Sequence, residues 1–243
     1  MFINRLQVSC QAILCPRQRP ASAIVMRQRF LPADRQFPGG RKLNDRDRAT
    51  LLHYYNENLR RYGYDPRSLG WLEGTQPGRF DVLAGIGDLE GCSVLDVGCG
   101  FGDFYGYLCR RGIHVDYTGL DLNPGFVEIA KGRHPEADFI IADFEEAGIR
   151  RRFDWAFESG IFNLRVSGHE AYVRKVLEKM YDASRYGFAA DFLSDRGPRS
   201  AEMYHPRADE LLGFCRRLSG RVRLRRDYKP TEFCVYVYRD GQP

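Results

Sequence analysis

Between Ser93 and Asp103 the chain reads Ser-Val-Leu-Asp-Val-Gly-Cys-Gly-Phe-Gly-Asp: an apolar run that ends in an acid, then glycines at alternate positions, then an amphipathic stretch. A strand that breaks into Gly98, Gly100 and Gly102 turns tightly and restarts as a helix, because glycine enters left-handed backbone without the cost of a Cβ. Strand–turn–helix units of this kind belong to open α/β sheets. The turn then sits at the carboxyl end of the strand, where such sheets bind ligands.

The rest of the chain repeats the alternation. Apolar runs fall at 93–97, 115–120, 138–142, 153–157 and 187–191, and helical patterns at 102–111, 124–132, 169–183 and 206–218. Strands this apolar face water on neither side, so they predict a parallel sheet covered by helices on both faces. The last two runs, 221–228 and 232–238, are joined by Lys229-Pro230-Thr231, too short for a parallel crossover. The expected fold is α/β: a three-layer, Rossmann-like sheet of five parallel strands plus a C-terminal antiparallel β-hairpin. Upstream, Leu51, Leu52, Tyr55 and Leu59 recur at helical spacing over 45–61, Gly63 stops that helix, and a shorter helix covers about 79–86. Three regions are expected: an Arg-rich, disordered extension (1–42), a helical lid segment (43–90) and a ligand-binding domain (91–243).

The glycine loop does not suit a dinucleotide. In a G-x-G-x-x-G pattern starting at Gly98 the third glycine position is Asp103, and a pyrophosphate beside Asp103 and Asp96 is electrostatically poor. No Gly-Lys-Ser/Thr follows to make a phosphate loop. A cationic ligand suits these acids. Asp121 follows the second apolar run at the offset where a carboxylate meets ribose hydroxyls. Asp143 follows the third, with Phe144 beside it to pack on a ring. Taken singly, each acid could equally cap the helix that comes next.

The stretch from Trp71 to Tyr238 resembles a class I, seven-strand S-adenosylmethionine-dependent methyltransferase. The residues that carry the resemblance are VLDVGCGFGDF (94–104), YTGLDLNPGFVEIA (117–130), ADF (142–144), FDWAFESGIFN (153–163) and the terminal DYKPTEFCVYVY (227–238). It implies S-adenosylmethionine as cofactor, S-adenosylhomocysteine as product and no metal. Gly98, Gly100 and Asp103 would surround the methionine part, Asp121 the ribose, and Asp143 with Phe144 the adenine. Trp71, Gln76 and Arg79 would form a lid, with Arg79 on the methionine carboxylate, and Asp96, Cys99, Leu122 and Glu158 complete the expected cofactor contacts.

For the acceptor, the segment after the fourth run is Glu158-Ser-Gly-Ile-Phe-Asn163, in which Glu158, Ser159, Phe162 and Asn163 are the acceptor-side candidates. It stands in place of the Asn/Asp-Pro-Pro-aromatic run of nucleobase and amide methyltransferases. Glu158 either pairs with an amine, removes a proton or caps the next segment. Glu158, Asn163 and His205 are the candidate catalytic residues, and Tyr54, Tyr55, Phe162, Asn163, Asp191 and Tyr204 the candidate acceptor contacts. The first 48 residues hold ten basic and three acidic side chains, the remainder 27 and 29, so the net charge of +5 does not describe a basic core. That balance argues against nucleic acid as the partner. Seven cysteines without C-x-x-C spacing read as free thiols of a reducing compartment, and no apolar run reaches membrane-spanning length. The expectation is a cytoplasmic monomer or homodimer that methylates a small molecule at nitrogen or a carboxylate oxygen. The alternatives are an RNA or protein methyltransferase anchored by the basic extension, and a non-catalytic S-adenosylmethionine-binding partner subunit.

Overall fold

The computed structural model describes residues 43–71, 76–149 and 151–240. The expected extension over 1–42 lies outside these residues. The strands are β1 (Ser93–Val97), β2 (Asp116–Asp121), β3 (Asp138–Ile141), β4 (Phe153–Ser159), β5 (Ser184–Leu193), β6 (Val222–Arg225) and β7 (Glu232–Tyr238). The helices are α1 (Asp45–Tyr62), α2 (Gln76–Ala84), α3 (Asp103–Arg110), α4 (Pro124–Arg133), α5 (His169–Ala183) and α6 (Ala208–Leu218), with a 3-10 turn at Pro66–Leu69 that the sequence reading left as linker.

The strands form one sheet in the order β3-β2-β1-β4-β5-β7-β6. Strands β1 to β5 are parallel, β7 runs antiparallel to β5, and β6 pairs antiparallel with β7 at the edge. Side chains alternate across the sheet, as the pleat requires. Leu95, Val97, Ala156, Phe188, Ala190, Val235 and Val237 pack with Val173, Leu177 and Met180 of α5 and with Leu211 and Phe214 of α6. The intervening Val94, Tyr117, Trp155, Phe157, Ala189, Cys234 and Tyr236 pack with Phe80 and Leu83 of α2, Phe104 and Leu108 of α3, and Val127 and Ala130 of α4.

Within 43–90 the two helices are placed differently. Helix α2 supplies buried core through Phe80, Val82 and Leu83, whereas α1 has no buried residue and lies on the surface. Polar contacts hold α1 across the carboxyl ends of β2 and β3. Asn123 donates to Asn56 at 2.8 Å, the Leu43 N–H donates to Glu145 at 2.7 Å, and Arg48 pairs with Asp143.

Candidate functional site

Strand order reverses at β1, which is flanked by β2 on one side and β4 on the other. Loops leaving the carboxyl ends of these strands diverge there and open a crevice. The cavity occupies that crevice and encloses about 1180 Å³ of empty space, part of it open to solvent. Its floor is the turn from Val97 to Asp103, in which Gly98, Gly100 and Gly102 take φ of 77°, 52° and 72°. A side chain at Gly98 would be strained in that conformation, and its Cβ would meet the Ile161 side chain at 2.0 Å. Leu51, Leu52 and Tyr55 of α1 form the roof.

The walls carry acids. Asp121 at the end of β2 is fixed through both oxygens, accepting from Gly100 N–H and from Asn123 N–H at 2.8 Å each. Asp143 follows β3 and accepts from the Arg48 guanidinium at 2.6 and 3.0 Å through Oδ2, and from Glu145 N–H through Oδ1. Lys179 donates to the carbonyls of Phe144, Glu145 and Ala147, which holds the turn that presents Asp143 and Phe144. Burial pushes the Asp121 carboxyl up to about 6 against its backbone donors. Burial, with repulsion from Asp121 and Asp103, pushes Asp96 up to about 7 although Tyr117 donates to it.

Four aspartates (Asp96, Asp103, Asp121 and Asp143) line this cavity, and among the described residues no lysine, arginine or histidine lines it, although Arg48 pairs with Asp143 and Arg133 with Asp103. Such a lining suits a ligand that carries positive charge better than a pyrophosphate. The residues fit a sulfonium-bearing nucleoside: a glycine turn for close backbone approach, two fixed strand-end carboxylates for ribose and adenine, and an aromatic ring at Phe144. No group of His, Cys, Asp and Glu among the described residues could hold a metal ion, and no helix among them is long and apolar enough to cross a membrane.

Of the residues expected at the cofactor, Trp71, Gln76, Asp96, Gly98, Cys99, Gly100, Asp103, Asp121, Leu122, Asp143 and Phe144 line the cavity together. Arg79 and Glu158 do not. The Arg79 guanidinium is buried beneath the Trp71 ring, 3.8 Å from its centroid, and is held by Glu232 and by Asp191 at 3.3 Å. In this structure two carboxylates of the protein hold the guanidinium that was expected on the methionine carboxylate. Glu158 is fully buried behind the wall and accepts from the Ile161 N–H at 2.8 Å, so it shapes the loop instead of lining the cavity.

The acceptor expectations fare worse. Tyr55 lines the cavity, with its hydroxyl pKa raised by burial. Gly160, with φ of 93°, turns the chain so that Phe162 enters the core and stacks on Phe192 at 5.3 Å. Asn163 is buried with its carbonyl accepting from Tyr204 N–H. The Tyr204 ring packs on His169 at 4.1 Å, and His205 Nδ1 lies 3.0 Å from the Ser194 carbonyl. Asp191 lies behind the wall, and Tyr54 is 37% exposed on α1. Phe162, Asn163, Tyr204, His205, Asp191 and Tyr54 are absent from the cavity lining. Ser159, an expected acceptor-side residue, does line it, as do Gly160, Ile161, Leu69, Phe126 and Tyr172, which the sequence did not single out. Of those not singled out, only Gly160 and Ile161 had a local signal, their place just after a strand that points at the crevice.

Residues 94–187 match the family described as a methyltransferase domain. The putative methyltransferase Rv1506c of Mycobacterium tuberculosis is 36% identical over 156 residues, 60% of this chain and 92% of that protein. The fatty-acid O-methyltransferase of Mycolicibacterium smegmatis is 32% identical over 113 residues, 44% of this chain but only 39% of that one. The magnesium protoporphyrin IX methyltransferase of Synechocystis PCC 6803, solved with S-adenosylmethionine bound, shares the fold. Its TM-score is 0.58 at 17% identity, over 82% of this chain and 100% of that chain.

Proposed function

The chain belongs to the S-adenosylmethionine-dependent methyltransferases, and from that premise we propose that it methylates a small molecule at nitrogen or at a carboxylate oxygen. The observation that carries this reading is the cavity itself, roofed by α1 at the carboxyl edge of the sheet. The fatty-acid specificity in the name of the Mycolicibacterium relative supports a small acceptor, although the match covers 39% of that protein. The described cysteines are all free, which fits a cytoplasmic setting.

S-adenosylmethionine supplies a methyl group on a sulfonium, open to in-line displacement by a nucleophile. The chain's share is alignment and exclusion of water, and holding reactants in near-attack geometry is worth about 7–11 kcal/mol in favourable cases. In this proposal Gly98 and Gly100 let the backbone approach the methionine part, with Asp96 and Asp103 beside its cationic groups. Asp121 accepts from the ribose hydroxyls, and Asp143 accepts from the adenine amine while Phe144 packs on the ring. Leu51, Leu52 and Tyr55 cover the ligand from above and keep water out.

Calorimetric titration with S-adenosylmethionine, S-adenosylhomocysteine and nicotinamide dinucleotides tests it. The two sulfur compounds are expected to bind and the dinucleotides not. Asp121→Ala should weaken binding about 10- to 100-fold, the loss of charge-assisted hydrogen bonds worth about 1.5–3 kcal/mol. Unchanged affinity in that variant would remove Asp121 from the ribose, and dinucleotide binding would remove the cofactor assignment.

A further inference from the structure

Charge divides the cavity lining. Among the described residues its charged side chains are the four aspartates, and the cofactor reading gives Asp121 and Asp143 to the nucleoside and Asp96 and Asp103 to the methionine part. Beyond these the lining includes Leu51, Leu52 and Tyr55 on α1, Leu69 on the 3-10 turn, Ile161 after β4 and Tyr172 on α5, all half-buried. The first four belong to neither apolar layer of the core, so the cavity is what their hydrocarbon faces. This apolar patch adjoins the glycine turn. Ile161 packs over Gly98, and Leu69 over Gly100, where an added Cβ would meet its Cδ2 at 3.0 Å. Gly98 and Gly100 carry the methionine part in the cofactor reading. The patch therefore begins beside the sulfonium and continues beneath α1.

We propose that the methyl acceptor carries an uncharged hydrocarbon body, seated between α1 and the Ser159–Ile161 segment with its nucleophile at the glycine-turn end. The inference rests on the cofactor reading of the cavity and narrows the small molecule of that reading to one with an apolar body. An ionic or strongly polar body would lose its water here and find no opposite charge to replace it. A hydrocarbon body gains by the same transfer, because it covers side chains that the core leaves uncovered. The polar side-chain atoms on this part of the lining are the hydroxyls of Ser159, Tyr55 and Tyr172, enough to orient one polar end of a ligand but not a body rich in charge. Leucines recurring along α1 thus have a use that core packing does not give them: they recognise the acceptor by its apolar surface.

Two probe series decide it, butyl-, hexyl- and octylamine and the alkanoates of the same chain lengths, titrated calorimetrically into protein saturated with S-adenosylhomocysteine. In at least one series affinity should rise about 2- to 4-fold for each methylene added, the gain expected for burial of a CH2 group. 8-Aminooctan-1-ol should bind more weakly than octylamine, since its far end is polar. Leu52→Asn and Leu69→Asn should each flatten the rise. If Leu69→Asn fails to fold, Leu52→Asn decides, because α1 has no buried residue and puts no core packing at risk. Affinity that does not rise with chain length in either series, or a rise that survives the substitutions, overturns the proposal. The titration with S-adenosylhomocysteine alone comes first. Failure of the wild-type protein to bind it strikes the cofactor reading itself, so the two failures are distinguishable.

Discussion

The Tyr117 hydroxyl donates to Asp96 on the cavity floor, and the Asp96 carboxyl is still raised to about 7, first by burial and then by Asp121 and Asp103. Its ordinary value is 3.8, so ionisation in the folded chain is penalised. The penalty is absent below the unfolded value, grows as pH rises toward the folded value, and is complete above it. Asp96→Asn removes a charge and keeps an acceptor for Tyr117. Its melting midpoint should exceed the wild type's by ~5 °C or more at about pH 8, with the gap closing toward about pH 5. Thermal melts at the two pH values check this, and an equal gap at both would show that the carboxyl is not destabilising through its charge. Much of the site was legible at this scale, because Asp96, Gly98, Gly100, Asp121 and Asp143 all follow strands and chain order alone sends strand ends to one edge. Phe162 was not legible: it also follows a strand, but the left-handed turn at Gly160 reverses its direction into the core. Tyr117 was not either, since its bond to Asp96 joins neighbouring strands and leaves no local mark.

Helix α1 shows what could and could not be read from an element. Its ends were marked by Asn44, which accepts from the Asp47 N–H, by acids in the first turn and by Arg60 and Arg61 in the last. The predicted span of 45–61 falls one residue short of the observed end. Its role was hidden, because leucines at helical spacing usually mean a core face and here they roof a cavity. With no buried residue, α1 depends on polar anchors, and such elements open at lower free energy than the core. Amide exchange should be faster in α1 than in α5, and saturating S-adenosylhomocysteine should slow it. Arg48→Ala removes the pair with Asp143 and should speed α1 exchange while the melting midpoint moves by only ~1–2 °C. Exchange as slow in α1 as in α5 would count against the roof being a separately opening part.

At the scale of the whole molecule, two apolar layers share a single sheet, and each strand from β1 to β5 contributes to both through alternate residues. Neither layer can be lost without stripping the backs of the strands that hold the other, so unfolding should be one cooperative event. Phe157 and Phe188 are fully buried, one in each layer. Phe157→Ala and Phe188→Ala should each cost about 3–5 kcal/mol, and calorimetry should show one transition in both variants. Two resolved transitions in either would show that the layers melt apart. The alternation of apolar runs with helices made this architecture readable in advance, whereas which helix covers which face depended on crossovers that no local residue records.

The placement of Trp71 gives the protein an optical property. The chain has two tryptophans, and Trp155 is buried at the opposite end of β4, away from the cavity. The Trp71 indole lies over the Arg79 guanidinium, and the missing side chain of Gly160 makes room for it, since a Cβ there would sit 2.2 Å from the ring. One chromophore therefore looks onto the cavity while its back rests on the Arg79 guanidinium. Light emitted from that ring should therefore change when a ligand fills the cavity, without any label being attached.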